Sequence, residues 1–187
     1  MALLTACGAD GTGPGIGVPR TGLLALPRTD STFAPAPTTT MSVHNDVLNS
    51  FVIRETDGAA TVFATFTFPA RSIVAVGSLQ VCDTCTVTVT VTLAAGTYGF
   101  TVAPAGLVFN LSNEPTVAVG YGTYGDLSVY TQSPKYGTSA AYEQALALYR
   151  ERTADHWLPG RNSSHTGGFT VSSAVETPGA YLIAAPK

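Results

Sequence analysis

Residues Thr86 to Leu93 read Thr-Val-Thr-Val-Thr-Val-Thr-Leu, an unbroken alternation with a period of two rather than the 3.6 of a helix. Successive side chains of a strand point to opposite faces, so Val87, Val89, Val91 and Leu93 share one face and the threonines the other. Such a strand buries its valine face and leaves its threonine face to water, the habit of an antiparallel sheet packed on one side.

The segments around it follow the same grammar. Phe51-Val52-Ile53 runs into the turn dipeptide Asp57-Gly58, and Thr61 to Phe68 ends at Pro69, which predicts a pair of strands. Further strands are expected at Arg71 to Val76, Ser78 to Val81, Tyr98 to Val102, Leu107 to Leu111, Thr116 to Val119 and Leu127 to Thr131. They are separated by Gly77-Ser78, Ala95-Gly96, Pro104-Ala105-Gly106, Asn113-Glu114-Pro115 and Gly122 to Asp126. Phe169 to Ser173 and Tyr181 to Ala185, joined through Thr177-Pro178-Gly179, predict a final hairpin. Short strands at roughly 8–12-residue spacing with turn residues between them signal an all-β fold, an antiparallel β-sandwich over residues 43–187. One stretch conflicts with that pattern. Ser139 to Gln144 is rich in helix formers, with Ser139 available as an N-cap, so a short helical turn over 140–144 is expected before a strand and a hairpin through 152–155 into Trp157-Leu158.

The first 42 residues differ. Gly8, Gly11, Gly13, Gly15, Gly17, Pro14, Pro19, Pro27, Pro35 and Pro37 leave neither apolar period, and the stretch reads as an extended Pro/Gly-rich N-terminal arm. Fixing each backbone residue costs about 1–2 kcal/mol, and the arm has few apolar side chains to offset that alone. It is therefore expected to order against a partner, with Leu23, Leu24, Leu26 and Phe33 as contact residues.

Composition narrows the function. Charged residues make up only 11% of the 187, and Lys+Arg 9 against Asp+Glu 12 gives a formal net charge of −3. No basic run exists to neutralise phosphates, so nucleic acid is excluded as a partner. No G-x-S-x-G, H-E-x-x-H or S-x-x-K is present, and the glycines of residues 11–17 follow no strand, so neither a catalytic template nor a cofactor motif is seen. His44, His156 and His165 are dispersed or loop-borne and are expected to be hydrogen-bonded rather than to hold a metal. Catalytic, metal and cofactor sites are all expected to be absent.

Two cysteine features remain. Cys82-Asp83-Thr84-Cys85 lacks the helix start of a redox pair and the second pair of a zinc site, so a disulfide across a tight turn is expected, and with it an oxidising compartment. Leu4-Thr5-Ala6-Cys7-Gly8 resembles a bacterial lipobox, which makes Cys7 a candidate for lipidation and a membrane anchor. Only six residues precede Cys7, fewer than a signal peptide needs, so either Met1 is internal to a longer product or the match is accidental. Tyrosines gather from Tyr121 and Tyr124 to Tyr149, several beside glycines, and Tyr121 and Tyr124 are expected on a partner-binding face.

Three further segments form a set: Gly99 to Phe109, then Leu148-Tyr149-Arg150-Glu151 with Trp157-Leu158-Pro159, then Gly179 to Ala185. With these the chain from about Val89 to Lys187 resembles the β-rich ZU5-like modules of bacterial surface lipoproteins. The first is similar to that family's F-x-P-x-G-L-x-F turn, the second to its strand, hairpin and tryptophan, and the third to its last strand. The family's Pro-Ala-Gly-Ala step reads here as Leu93-Ala94-Ala95-Gly96, and the first half of the chain is not matched. The resemblance implies a non-catalytic β-sandwich with surface or interaction roles.

The expected function is a non-catalytic scaffolding subunit of an exported, membrane-associated bacterial assembly, periplasmic or at the cell surface, contacting other protein subunits through the arm and the sandwich. Membrane complexes of energy conversion, including photosynthetic ones, are among the candidate hosts. The alternative is a freestanding surface lipoprotein module that binds carbohydrate or protein.

Overall fold

In the computed structural model, residues 17–132 and 134–187 are described, and the strand expectation becomes sixteen strands. They are β1 (Val18–Pro19), β2 (Leu23–Ala25), β3 (Thr38–His44), β4 (Asn49–Arg54), β5 (Val62–Phe68), β6 (Ile73–Val76), β7 (Leu79–Gln80) and β8 (Thr86–Leu93). After them come β9 (Gly99–Ala103), β10 (Leu107–Phe109), β11 (Thr116–Gly120), β12 (Ala147–Thr153), β13 (His156–Pro159), β14 (Ser164–His165), β15 (Thr170–Ala174) and β16 (Gly179–Pro186), with a single described α-helix, α1 (Ser139–Gln144), before β12. An eight-stranded sheet runs β1-β13-β12-β16-β9-β8-β3 with β2 also on β16, a five-stranded sheet runs β14-β15-β11-β5-β4, and β10-β6-β7 form a small third sheet. Every pairing is antiparallel.

The two larger sheets enclose one core. β8 buries Val87, Val89 and Val91 and turns its threonines outward, as the alternation requires. Opposite it the second sheet contributes Phe63, Phe66, Val117, Val119 and Val171, and Phe66 meets Phe100 edge to face with centroids 5.3 Å apart. β16 is buried on both faces. Tyr181, Ile183 and Ala185 enter this core, while Leu182 and Ala184 join Leu23, Tyr149 and Trp157 in a second cluster. A continuous apolar run such as Tyr181 to Ala185 is what a strand covered on both sides demands.

Four local expectations are corrected. Residues 17–42 are not a separate arm within the described fold: β1 pairs β13, β2 pairs β16, and a boundary at 42 would cut β3, which pairs β8 from Thr38 to His44. Pairing of main-chain groups on a sheet edge needs no side-chain period, which is why the pattern of this segment hid it. Leu127–Gln132 is a 3-10 helix rather than a strand, started by the Asp126 carboxylate accepting the Ser128 N–H at 2.9 Å. β15 and β16 do not form a hairpin but lie in different sheets, because Val171 and Val175 on one side and Tyr181 and Ile183 on the other fill the same core from opposite walls. Gly179, at φ 122, makes the corner between them. The N-cap of α1 is Thr138, whose hydroxyl accepts the Ala141 N–H at 3.1 Å, rather than Ser139.

One end of the sandwich is organised by Asn45, which is buried. Its amide donates to Ile73 O at 3.0 Å and Cys82 O at 3.3 Å, its Oδ1 accepts from Ile73 N at 3.2 Å, and its main chain bonds Cys85 O and Arg71 N. Asn45→Ala strands several of these groups away from water. An unsatisfied buried polar group costs about 1–3 kcal/mol, and urea denaturation of this variant is expected to show a loss of about 2–3 kcal/mol. The Cys82–Cys85 disulfide closes the turn that Asn45 holds. So short a loop contributes at most about 2 kcal/mol.

Candidate functional site

The chain leaves β2 and crosses the opposite end of the sandwich. Leu26 N–H donates to Ile183 O at 2.9 Å, Tyr98 N–H donates to Leu26 O at 3.1 Å, and isolated bridges pair Pro27 with Thr97 and Arg28 with Gly125. Glu55 follows β4 at the same end. Arg28 Nη1 donates to Glu55 Oε1 at 3.0 Å and Nη2 to Oε2 at 2.8 Å, a fork-to-fork pair whose side chains are 3% and 2% exposed. The guanidinium carbon lies 5.9, 5.2 and 5.4 Å from the ring centroids of Phe63, Tyr98 and Tyr124, within cation–π range. Its Nε has no hydrogen-bond partner, and ring faces form its surroundings. Arg28 donates both terminal nitrogens to Glu55, so this pair acts as a clamp tying residues 17–37 onto the sandwich.

Beside the clamp lies a largely apolar cavity of about 280 Å³, lined in part by Arg28, Pro35, Pro37, Phe63, Leu93 and Ala94. On the outer side Tyr124 donates to Asp57 at 2.9 Å, and Phe33 leans on Tyr124 with centroids 6.1 Å apart. Hydrogen bonds from the Thr61 hydroxyl and then the Thr61 N–H hold the Asp57 carboxyl below the usual carboxylate range. Burial, followed by the bond to Glu143, raises the Tyr121 phenol. Burial likewise raises Tyr98.

The sequence-expected contact residues do not gather on a surface. Leu23, Leu24, Leu26 and Tyr121 are buried within the chain's own fold, Tyr124 is half-buried over Arg28, and Phe33 alone of the six is exposed, at 39%. Burial against β16 and Tyr98 uses the same apolar surface that a partner would have covered. Cys7 lies outside the described residues. The histidines are dispersed: His44 Nδ1 meets the Thr86 hydroxyl, His156 Nδ1 the Ala154 carbonyl and His165 Nε2 the Leu146 carbonyl. Among the described residues no cluster of His, Cys, Asp and Glu is placed to hold a metal ion, and no helix is long and apolar enough to cross a membrane.

Several large exposed apolar side chains instead lie on the connections at the Asn45 end. His44 faces Thr86, Asn49 faces Phe68 and Thr67 faces Thr116, so the connections over 45–48, 69–85 (which includes β6 and β7) and 110–115 leave the sheets at the same end. Their tips carry Leu48 at 68%, Leu79 at 73% and Leu111 at 70% exposure, and Val47 and Val108 are also exposed there. This end also carries the exposed Asp46, the Arg71–Asp83 ion pair at 3.2 Å and the Glu114–Arg161 pair. Sequence reasoning missed these leucines because they lie in or beside turns. The available signal was a leucine flanked by turn residues, as in Asn45-Asp46-Val47-Leu48-Asn49.

The chain matches no family model, no curated protein and no solved structure.

Proposed function

We propose that the chain is a non-catalytic structural subunit of an exported, membrane-associated bacterial protein assembly, and that it docks onto other protein subunits through the leucine-tipped end of the sandwich. The observation that carries this is that Leu48, Leu79 and Leu111, each about 70% exposed, all lie on connections at one end of the sandwich. A monomer in water gains nothing from leucines this exposed, whereas a partner that covers them removes their apolar area from solvent. The Cys82–Cys85 disulfide supports an oxidising compartment, and the resemblance to ZU5-like surface modules supports an interaction role. Energy-conversion complexes of the membrane remain candidate hosts. Leu48→Glu, Leu79→Glu and Leu111→Glu together are expected to leave the melting temperature within a few degrees of wild type and to release the chain from its native assembly. If the triple variant stays in the assembly as tightly as wild type, the docking end is elsewhere.

The cavity beside Arg28 favours a second role, a freestanding module that binds a small apolar ligand. Isolation of the chain from native membranes as a lone species carrying such a ligand would favour that role.

A further inference from the structure

Sandwiches blunt their sheet edges, since a long, flat, uncharged edge strand offers its main chain to any other strand. In this fold the edges β1, β7 and β14 have two residues each and β1 includes Pro19. β10 has three residues and a register shift at Val108/Phe109, and β4 has a shift at Ile53/Arg54 and carries Arg54. β3 has none of these devices. It pairs all seven residues, Thr38 to His44, with β8 without a shift, contains neither Pro nor a charged carboxylate, Lys or Arg, and no described strand lies on its outer side.

Which groups of β3 stand open follows from its last residue. His44 N–H donates to Asn49 Oδ1 at 3.0 Å and His44 C=O accepts from Asn49 Nδ2 at 2.8 Å, so both point away from β8 and are sealed by that side-chain amide. In an antiparallel ladder a residue's N–H and C=O point the same way and the direction alternates along the strand. Thr39, Met41 and Val43 therefore face β8, and the Asn45 N–H bond to Cys85 O continues that series. Thr38, Thr40 and Ser42 face outward.

We propose that this edge pairs with the same edge of a second copy of the chain, antiparallel about a two-fold axis at Thr40. In that register Thr40 faces Thr40 of the second copy and Thr38 faces its Ser42 in both directions. Each of these pairs exchanges both of its hydrogen bonds, every open group of the edge is used, and the sealed His44 lies just beyond. Face parity is kept, since Thr39 lies opposite Met41 of the second copy on the core side. With no Asp, Glu, Lys or Arg on the strand, the paired residues bring no like charges together, and a single self-complementary patch is what a two-fold dimer requires. The pairing joins the two eight-stranded sheets into one and rests on the topology of β3 alone, independently of the leucine-tipped end.

Sedimentation of the full chain over a range of concentrations tests it, with Thr40→Lys and two cysteine variants in a Cys7→Ser background. The wild type is expected to pass from monomer to dimer as concentration rises. Thr40→Lys faces its own copy and is expected to weaken dimerisation at least about tenfold, since like charges directly opposite oppose pairing. Thr40→Cys is expected to cross-link on mild oxidation, because Cα atoms of a hydrogen-bonded pair lie about 5.5 Å apart, within disulfide range. Ser42→Cys, equally exposed but more than about 13 Å from its counterpart in this register, is expected not to cross-link. A wild type that stays monomeric throughout, a Thr40→Lys variant that dimerises undiminished, or a Ser42→Cys variant that cross-links as readily as Thr40→Cys would each overturn the proposal. A monomeric wild type would leave the edge to a strand of another protein. If Thr40→Lys fails to fold, the two cysteine variants decide.

Discussion

Replacing Arg28 with methionine is expected to destabilise the protein by about 3–5 kcal/mol, because the variant leaves a buried carboxylate with no counter-charge. Glu55 is 2% exposed and both its oxygens accept from the Arg28 fork. Arg28→Met/Glu55→Leu removes both charges and is expected to recover much of the loss, as replacing a buried ion pair with apolar side chains often does. Urea denaturation of the two variants provides the check. A loss below about 1 kcal/mol for Arg28→Met would mean that the pair is solvated and does not clamp residues 17–37 to the sandwich.

Alkaline unfolding is the second large effect. Tyr98, Tyr121, Tyr142, Tyr149 and Tyr181 are buried, and burial raises the phenol of each above its ordinary value. Each folded-state pKa lies above the unfolded value of about 10, so the stabilisation is complete below that pH and is lost as pH rises toward the folded-state values. The unfolded chain ionises all of these phenols at once. A cooperative transition is therefore expected above about pH 10, in which tyrosinate absorbance and loss of β-sheet circular dichroism move together. Independent titration of the phenols with the sheet signal intact would show that the rings are open to water.

The β-sandwich was legible where side chains carry the period. Thr86–Leu93, the strands on either side of Asp57-Gly58, and the doubly covered run at β16 all state their faces in their order of residues. Residues 17–42 were not legible, because β1 and β2 join the sheets through main-chain bonds that leave no mark in the side-chain order, and Leu23, Leu24 and Leu26 look the same whether a partner or the chain's own core covers them. The ion pair was hidden for a related reason. Arg28 and Glu55 stand 27 positions apart, and only the crossing of the chain over the sandwich end brings them together. Sheet membership of β15 and β16 was equally beyond the sequence, since a turn containing Thr177-Pro178-Gly179 serves a hairpin and a crossover alike. The Cys82–Cys85 bond, fixed by local spacing, needed no such information.

Docking of the leucine-tipped end is tested most directly by hydroxyl-radical footprinting of Leu48, Leu79 and Leu111, comparing the isolated chain with the chain in its native assembly. In isolation all three are expected to label readily, as their exposure requires. In the assembly their labelling is expected to fall about tenfold while exposed Phe169, at the far end, keeps its rate. Equal labelling of the three leucines in both states would contradict docking through this end.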